Sequence, residues 1–306
     1  MDKNILLNDL SKYRIKSIEP FSKGWSSDNK YIALDDTGIK YLLRLSPITA
    51  KDRVLTHAEF LEQCRKNDIP THSLTGHGNC LKNQYYFLLL EWINGKDAEE
   101  KISSLSKDEQ YELGIQAGKF LQKIHNFELD MQPRSSWPHR YNKKIDNKIE
   151  MYKNCELKYD KGHLLLETVE KYRGMLKEVA IVPHHGDYHV GNMLIDANNQ
   201  LYIIDFDRHD HGDPWEEFNR ITWCVEVSHE FASGQINGYF NNEVSKDFWK
   251  LLMLYITTNA LSSLSWAIKF GEKEIRTMTN GTAKLLETYD DFNKIIPSWY
   301  VERTHI

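Results

Sequence analysis

His185-Gly186-Asp187-Tyr188-His189-Val190-Gly191-Asn192-Met193-Leu194, followed by Ile203-Ile204-Asp205-Phe206-Asp207, is the stretch on which the reading of this 306-residue chain turns. It spells H-x-D-x-x-x-x-N and then D-F-D. Between them, Leu194-Ile195-Asp196-Ala197-Asn198-Asn199-Gln200-Leu201-Tyr202-Ile203-Ile204 has two short apolar runs around an Asn-rich turn, which predicts a β-hairpin. Hairpin pairing sets Asn192 before the first strand and Asp205 after the second, side by side at one end. Asp187 stands upstream of both.

A carboxylate and a carboxamide at one hairpin end are hard oxygen donors suited to Mg²⁺. With a further carboxylate to orient an attacking hydroxyl, they form the set that phosphoryl transfer from a nucleotide needs. Asp205 is then expected to chelate Mg²⁺ and Asn192 to add a neutral oxygen. Asp187 is expected to accept the acceptor hydroxyl and take its proton late. Asp207 assists at the metal or holds the loop, and His185 and His189 prop it. An Asp–Asn pair at a turn is ordinary turn chemistry when it stands alone. Here residue types, spacing, a following strand and a strand-rich upstream segment coincide.

Upstream the pattern is strand-like. Tyr31–Leu34 and Ile39–Leu45 flank Asp35-Asp36-Thr37-Gly38 as a hairpin, 51–67 reads as a helix stopped by Pro70, and 85–93 is an apolar strand. Asn94-Gly95-Lys96-Asp97 reads as a linker, so residues 1–93 are expected to hold the nucleotide and residues 94–306 the catalytic and acceptor-binding part. Ser22-Lys23-Gly24-Trp25-Ser26-Ser27-Asp28 lies between strand-like runs, with Ser26 and Ser27 as donors to phosphate oxygens. Arg44 is expected to reach the phosphates with Glu59 on the next helix as its partner. Leu90-Glu91-Trp92-Ile93 forms the hinge, where Glu91 and Ile93 offer backbone groups to the adenine edge. Downstream, Ser106 and Glu109 make a capping box ahead of a helix to His125, and 215–300 reads as helical.

Hydrophobic residues at 41% and charged residues at 27% fit a globular protein. The net charge of −5, without a basic block, argues against nucleic acid as a partner and leaves room for a cationic small molecule. Four dispersed cysteines, with no C-x-x-C pair, point to reduced thiols and a cytoplasmic location. The uncharged run 251–268 carries several Ser, Thr and Asn residues, so a buried helix is expected and no membrane partner.

The segment from His185 to Asp207, continued by Gly212-Asp213-Pro214-Trp215-Glu216-Glu217-Phe218, resembles the aminoglycoside phosphotransferase and choline kinase family. That resemblance implies an α+β, bilobal protein-kinase-like fold: a small N-terminal antiparallel sheet with one helix, and a larger, mostly helical C-terminal lobe. It also implies ATP or GTP as donor, Asp187 as catalytic base, Asn192 and Asp205 as metal ligands, and a nucleotide under the loop around Ser26. The acceptor implied is a hydroxyl on a small molecule, aminoglycoside-like or otherwise amine-bearing, with antibiotic resistance as the associated role. Glu216, Glu217, Glu226 and Glu230, with Trp215, Trp223 and Trp266, are the residues expected to meet a cation. Two departures stand out. Arg44 occupies the place of the family's phosphate-binding lysine, and the loop around Gly24 is poor in glycine. No Ala-Pro-Glu segment follows Asp205, which argues against a protein substrate. The alternatives are a nucleotide-binding pseudokinase, which Arg44 suggests, and a metal-dependent hydrolase built on the histidines and aspartates between His184 and Asp213.

Overall fold

A computed structural model describes residues 2–22, 28–129 and 135–303. In chain order the elements are α1 (Lys3–Asp9), β1 (Ile15–Pro20), β2 (Asn29–Asp35), β3 (Lys40–Pro47), α2 (Lys51–Lys66), β4 (Leu74–Cys80), β5 (Tyr85–Glu91), β6 (Gly95–Asp97), α3 (Ala98–Ile102) and α4 (Lys107–Ile124). They continue with α5 (Trp137–Asn154), α6 (Gly162–Tyr172), β7 (Val182–His184), β8 (Met193–Asp196), β9 (Leu201–Ile203), β10 (Asp210–Gly212), α7 (Ile221–Val227), α8 (His229–Phe240), α9 (Lys246–Ala267) and α10 (Glu272–Thr288).

The chain divides into two compact units, Met1–Ala98 with Asn192–His209, and Glu99–Gly191 with Asp210–Ile306. The break falls after Ala98 where the sequence suggested residue 93, and the β8–β9 hairpin returns to the first unit. The physical cause is β6. The presumed linker pairs antiparallel with β8, Gly95 opposite Asp196 and Asp97 opposite Leu194.

The first unit is built on a five-stranded antiparallel sheet in the order β1-β2-β3-β5-β4. The Asp35–Gly38 turn forms as expected, with the Asp35 carboxylate accepting from the N–H groups of Thr37 and Ile39. Strand β5 sits between β3 and β4, and its run Tyr86–Leu90 is buried throughout, which explains the lack of polar alternation. Leu43, Leu45 and Leu89 meet Leu6 and Leu10 of the N-terminal segment in one core. Each such fully buried side chain contributes roughly 1.5–3 kcal/mol.

The second unit is mostly helical. The capping box forms, Ser106 and Glu109 each bonding the other's backbone N–H, and starts α4. Helix α4 lies against α8 along a seam of glycines. A Cβ at Gly114 would stand 2.2 Å from the Phe231 carbonyl oxygen, and one at Gly118 would stand 2.1 Å from that of Gln235. Gly234 and Gly238 answer from α8, where a Cβ at either would stand 2.3 Å from a carbonyl oxygen of α4. The two backbones are therefore in direct contact, which no larger residue permits. Helix α9 packs on α5, α6 and α10. With its continuation to Phe270 it is long and apolar enough to cross a membrane, yet 61% of its apolar window is buried inside the protein.

Candidate active site

Strand β8 pairs with β9 so that Met193 faces Ile203, and the next rung is a hydrogen bond from Ile204 N–H to the Asn192 carbonyl at 3.0 Å. The hairpin thus brings Asn192 and the start of Asp205 to one end, as the alternation of residues required. Asp205 adopts a left-handed conformation, φ +67°, which Asp tolerates better than most residues. The adjoining Phe206 is fully buried against Phe60 of α2, ring centroids 5.8 Å apart. That anchor fixes the turn from which the Asp205 carboxylate projects.

Around it lies a dense ionic cluster. Arg44 on β3, 4% exposed, donates to Asp28 at 3.0 Å, to Asp205 at 3.3 Å and to Asp207. Arg53 on α2 binds Asp28 at 2.8 Å and Asp207 at 3.3 Å. Asp28 also accepts from the Ser46 hydroxyl at 2.8 Å, and Asp207 lies 3.0 Å from His57 Nδ1. Burial, reinforced by Arg44, holds the His57 pKa well below its usual value, so neutral His57 donates Nδ1–H to Asp207. Lys30 stands opposite Arg44 in the β2–β3 register, its pKa lowered by burial and then by Arg44.

The partner expected for Arg44 is therefore corrected. Glu59 is exposed and makes no such pair, because Arg53 and His57, four residues apart, occupy the face of α2 that meets the cluster. Ser26 and Ser27 lie outside the described residues. Both backbone groups of Glu91 are engaged, its N–H with the Ser73 carbonyl at 2.9 Å and its carbonyl with His72 Nδ1 at 2.8 Å. The N–H and carbonyl of Ile93 meet no partner among the described residues.

Asp187 belongs to the second unit, and the unit boundary falls inside the motif, between Gly191 and Asn192. Its carboxylate lies 3.3 Å from Arg220 Nε and 3.7 Å from His189 Nε2. The Nδ1 of His189 accepts the Gly191 N–H at 3.1 Å, so its proton sits on Nε2, facing Asp187. His189 also lies by Trp223, ring centroids 6.1 Å apart. The loop is pinned from beneath: Gly186, at φ +84°, gives its N–H to buried Glu217 at 2.9 Å, and the Tyr188 hydroxyl donates to the Ala117 carbonyl at 2.6 Å.

Most of the carboxylates expected to meet a cationic acceptor serve other purposes. Glu217 is buried under the loop, Glu216 is buried with Lys144 at 2.7 Å, and Glu230 binds Lys107 at 2.8 Å. Trp215 packs on Phe240 and Phe248. Glu226 remains exposed, and Trp223 stands by the loop. Sequence reasoning missed Arg53, Lys30 and Arg220. The spacing of Arg53 and His57 at i, i+4 on an amphipathic helix was the available signal for the first.

Residues 17–249 match the family model described as the phosphotransferase enzyme family. The chain belongs to that family. Among solved structures, the gentamicin complex of the aminoglycoside phosphotransferase APH(2")-IIa is 19% identical, with 96% of this chain and 99% of that one covered and a TM-score of 0.64. Amicoumacin kinase hAmiN, in complex with AMP-PNP, Ca²⁺ and Ami, is 13% identical over 97% and 96% at a TM-score of 0.64. A thermostable mutant of aminoglycoside phosphotransferase APH(4)-Ia, in a ternary complex with AMP-PNP and hygromycin B, is 14% identical over 93% and 98%, also at 0.64. Curated proteins give no match to the sequence. The fold is protein-kinase-like, and the family assignment makes the protein a small-molecule phosphotransferase.

Proposed function

We propose that this phosphotransferase moves the γ-phosphoryl group of ATP to a hydroxyl of a small, amine-bearing acceptor, with Mg²⁺ as the metal. The observation that carries the reading is the hairpin end, where Asn192 and Asp205 sit together under Arg44. Asp205 Oδ2 makes no hydrogen bond with a described residue, and the side chain is 31% exposed, so this donor pair fits a hard cation. When bound, Mg²⁺ neutralises charge on the phosphates.

Lys30, Arg44 and Arg53 supply cationic charge beside Asp205 for a triphosphate. The Ile93 N–H is the hinge donor for the adenine edge. The Glu91 carbonyl keeps one lone pair beside its bond from His72 and serves as the acceptor there. Asp187 accepts the hydrogen bond of the attacking hydroxyl and receives its proton, while Arg220 and His189 hold the carboxylate in place. For the acceptor, Trp223, Glu226 and the exposed Trp266 are the groups left to meet an ammonium. The complexes of neighbouring enzymes with gentamicin, hygromycin B and Ami support an acceptor of this kind and a role in antibiotic resistance. The four buried, unpaired cysteines accord with a cytoplasmic setting.

An ADP-release screen over aminoglycosides, choline-like amines and sugars, with ATP and GTP, tests this. Asp187→Asn is expected to lower turnover by roughly 10²–10⁴-fold with nucleotide affinity nearly intact. Unaltered turnover would remove Asp187 from its role. Tight ATP binding with no turnover on any acceptor would favour a pseudokinase.

A further inference from the structure

We propose that the second unit carries a structural zinc site formed by His125, His184 and Glu217 beneath the Asp187 loop. One donor atom from each of these three side chains lies within 4.8 Å of the other two, and all three side chains are buried. They come from separate elements: His125 caps the C-terminus of α4, His184 ends β7, and Glu217 lies in the 3₁₀ turn Glu216–Arg220.

The hydrogen bonds assign the lone pairs. His125 has Nδ1 on the Tyr239 hydroxyl at 2.8 Å, while its Nε2 is buried without a partner. Glu217 has Oε1 on the Gly186 N–H at 2.9 Å, while its Oε2 is buried without a partner. His184 donates Nε2–H to the Asp213 carbonyl at 3.0 Å, which leaves the lone pair on Nδ1. Each residue thus has its outer atom held by a second group, and the inner atoms of His125 and Glu217 are buried without a hydrogen-bond partner. That is the arrangement of metal ligands, whose outer hydrogen bonds fix ring tautomer and orientation.

Two of the bare atoms, His125 Nε2 and Glu217 Oε2, are 3.8 Å apart. Two donors on one tetrahedral Zn²⁺ stand about 3.3 Å apart, so a small contraction closes the site. Glu216 Oε2 lies 3.9 Å from His184 Nδ1 on the side of that ring, with Oε1 held by Lys144. Two imidazoles with carboxylate select zinc over Mg²⁺, which prefers oxygen donors alone.

The test uses the full chain, stripped with a chelator and titrated with Zn²⁺ against a chromophoric zinc chelator, without nucleotide or Mg²⁺. One Zn²⁺ per chain is expected, with Tm raised by roughly 5 °C at a hundredfold excess over Kd. Affinity should fall by at least about 100-fold in His125→Gln and His184→Gln whose circular dichroism is unchanged. No competition with the chelator, or stoichiometric zinc retained in both variants, overturns the site. Should either variant fail to fold, the Co²⁺-loaded wild type decides: an intense four-coordinate visible band supports the site, and a weak six-coordinate spectrum overturns it. The assay omits nucleotide, so its failure leaves the phosphotransfer reading intact.

Discussion

Replacing Arg44 by lysine separates charge from shape. The guanidinium spans three carboxylates, with Nη2 on Asp28 at 3.0 Å and on Asp207, and Nη1 on Asp205 at 3.3 Å. A lysine ammonium keeps the charge, but it is one compact group and cannot hold all three. Each hydrogen bond to a charged partner contributes roughly 1.5–3 kcal/mol, so losing two sets an upper bound of about 3–6 kcal/mol. Arg53 offsets part of that, since it already reaches Asp28 at 2.8 Å and Asp207 at 3.3 Å. A net loss of about 2 kcal/mol in urea stability is expected, within the range for breaking part of a buried ionic network.

Nucleotide binding should weaken as well. A guanidinium grips phosphate with two parallel N–H bonds and an ammonium acts as a point charge, a difference of about 1–2 kcal/mol or roughly 5–30-fold in Kd. Calorimetric titration of Mg·AMP-PNP reads this without any acceptor. An Arg44→Lys protein with wild-type urea midpoint and a Kd within twofold would refute the reasoning. It would show that positive charge at this position, not the guanidinium fork, is what matters.

The glycine seam makes a prediction of opposite signs: Gly118→Ala should lower stability by about 2 kcal/mol, because its Cβ would meet the Gln235 carbonyl at 2.1 Å, whereas Gly281→Ala, with nothing within 4 Å in mid-α10, should raise it by up to about 1 kcal/mol. Thermal melts showing the same sign for both would contradict the close approach of α4 and α8. Stability should also fall on acidification below pH 6.5, since the unfolded chain protonates His57 and the folded one resists it. Between pH 7.5 and 5.5 this amounts to about 1.4 kcal/mol for one histidine kept neutral, so His57→Gln should lose that much less than wild type over the same interval in urea titrations. Equal losses in the two proteins would exclude His57 as the source.

Local patterns made the hairpin end readable. Alternation in β8 and β9 and the Asn-rich turn fix the register, and register alone carries Asn192 and Asp205 to one edge. The capping box of α4 was equally local. What stayed hidden depends on contacts distant in sequence. Residues 94–97 look like a linker because nothing nearby reveals that Gly95–Asp97 pairs with β8, a strand about a hundred residues on. Glu59 looks like the natural partner of Arg44 until the phase of α2 turns it to solvent and brings Arg53 and His57 to the cluster instead. Glu216 and Glu217 look like surface carboxylates because acidic pairs usually are. Here one binds Lys144 and the other the backbone of the Asp187 loop.

The position of that loop can be traced to the same seam. Glycines at 114, 118, 234 and 238 let α4 and α8 touch backbone to backbone. This close approach brings the end of α4 within reach of Tyr239 on α8, so that His125 bonds the tyrosine hydroxyl and Gln122 bonds the Tyr239 carbonyl at 3.0 Å. The buried carbonyl of Ala117 on α4 then receives Tyr188, one residue beyond Asp187, while Glu217 holds Gly186, one residue before it. The carboxylate is thus bracketed by two neighbours, each tied to a buried partner. A side chain of 16% exposure is held ready by backbone pins as well as by its own ion pair with Arg220. A substitution in the seam would therefore shift the Tyr188 anchor before it touched any group in the chemistry, lowering turnover with no change at Asp187, Asn192 or Asp205.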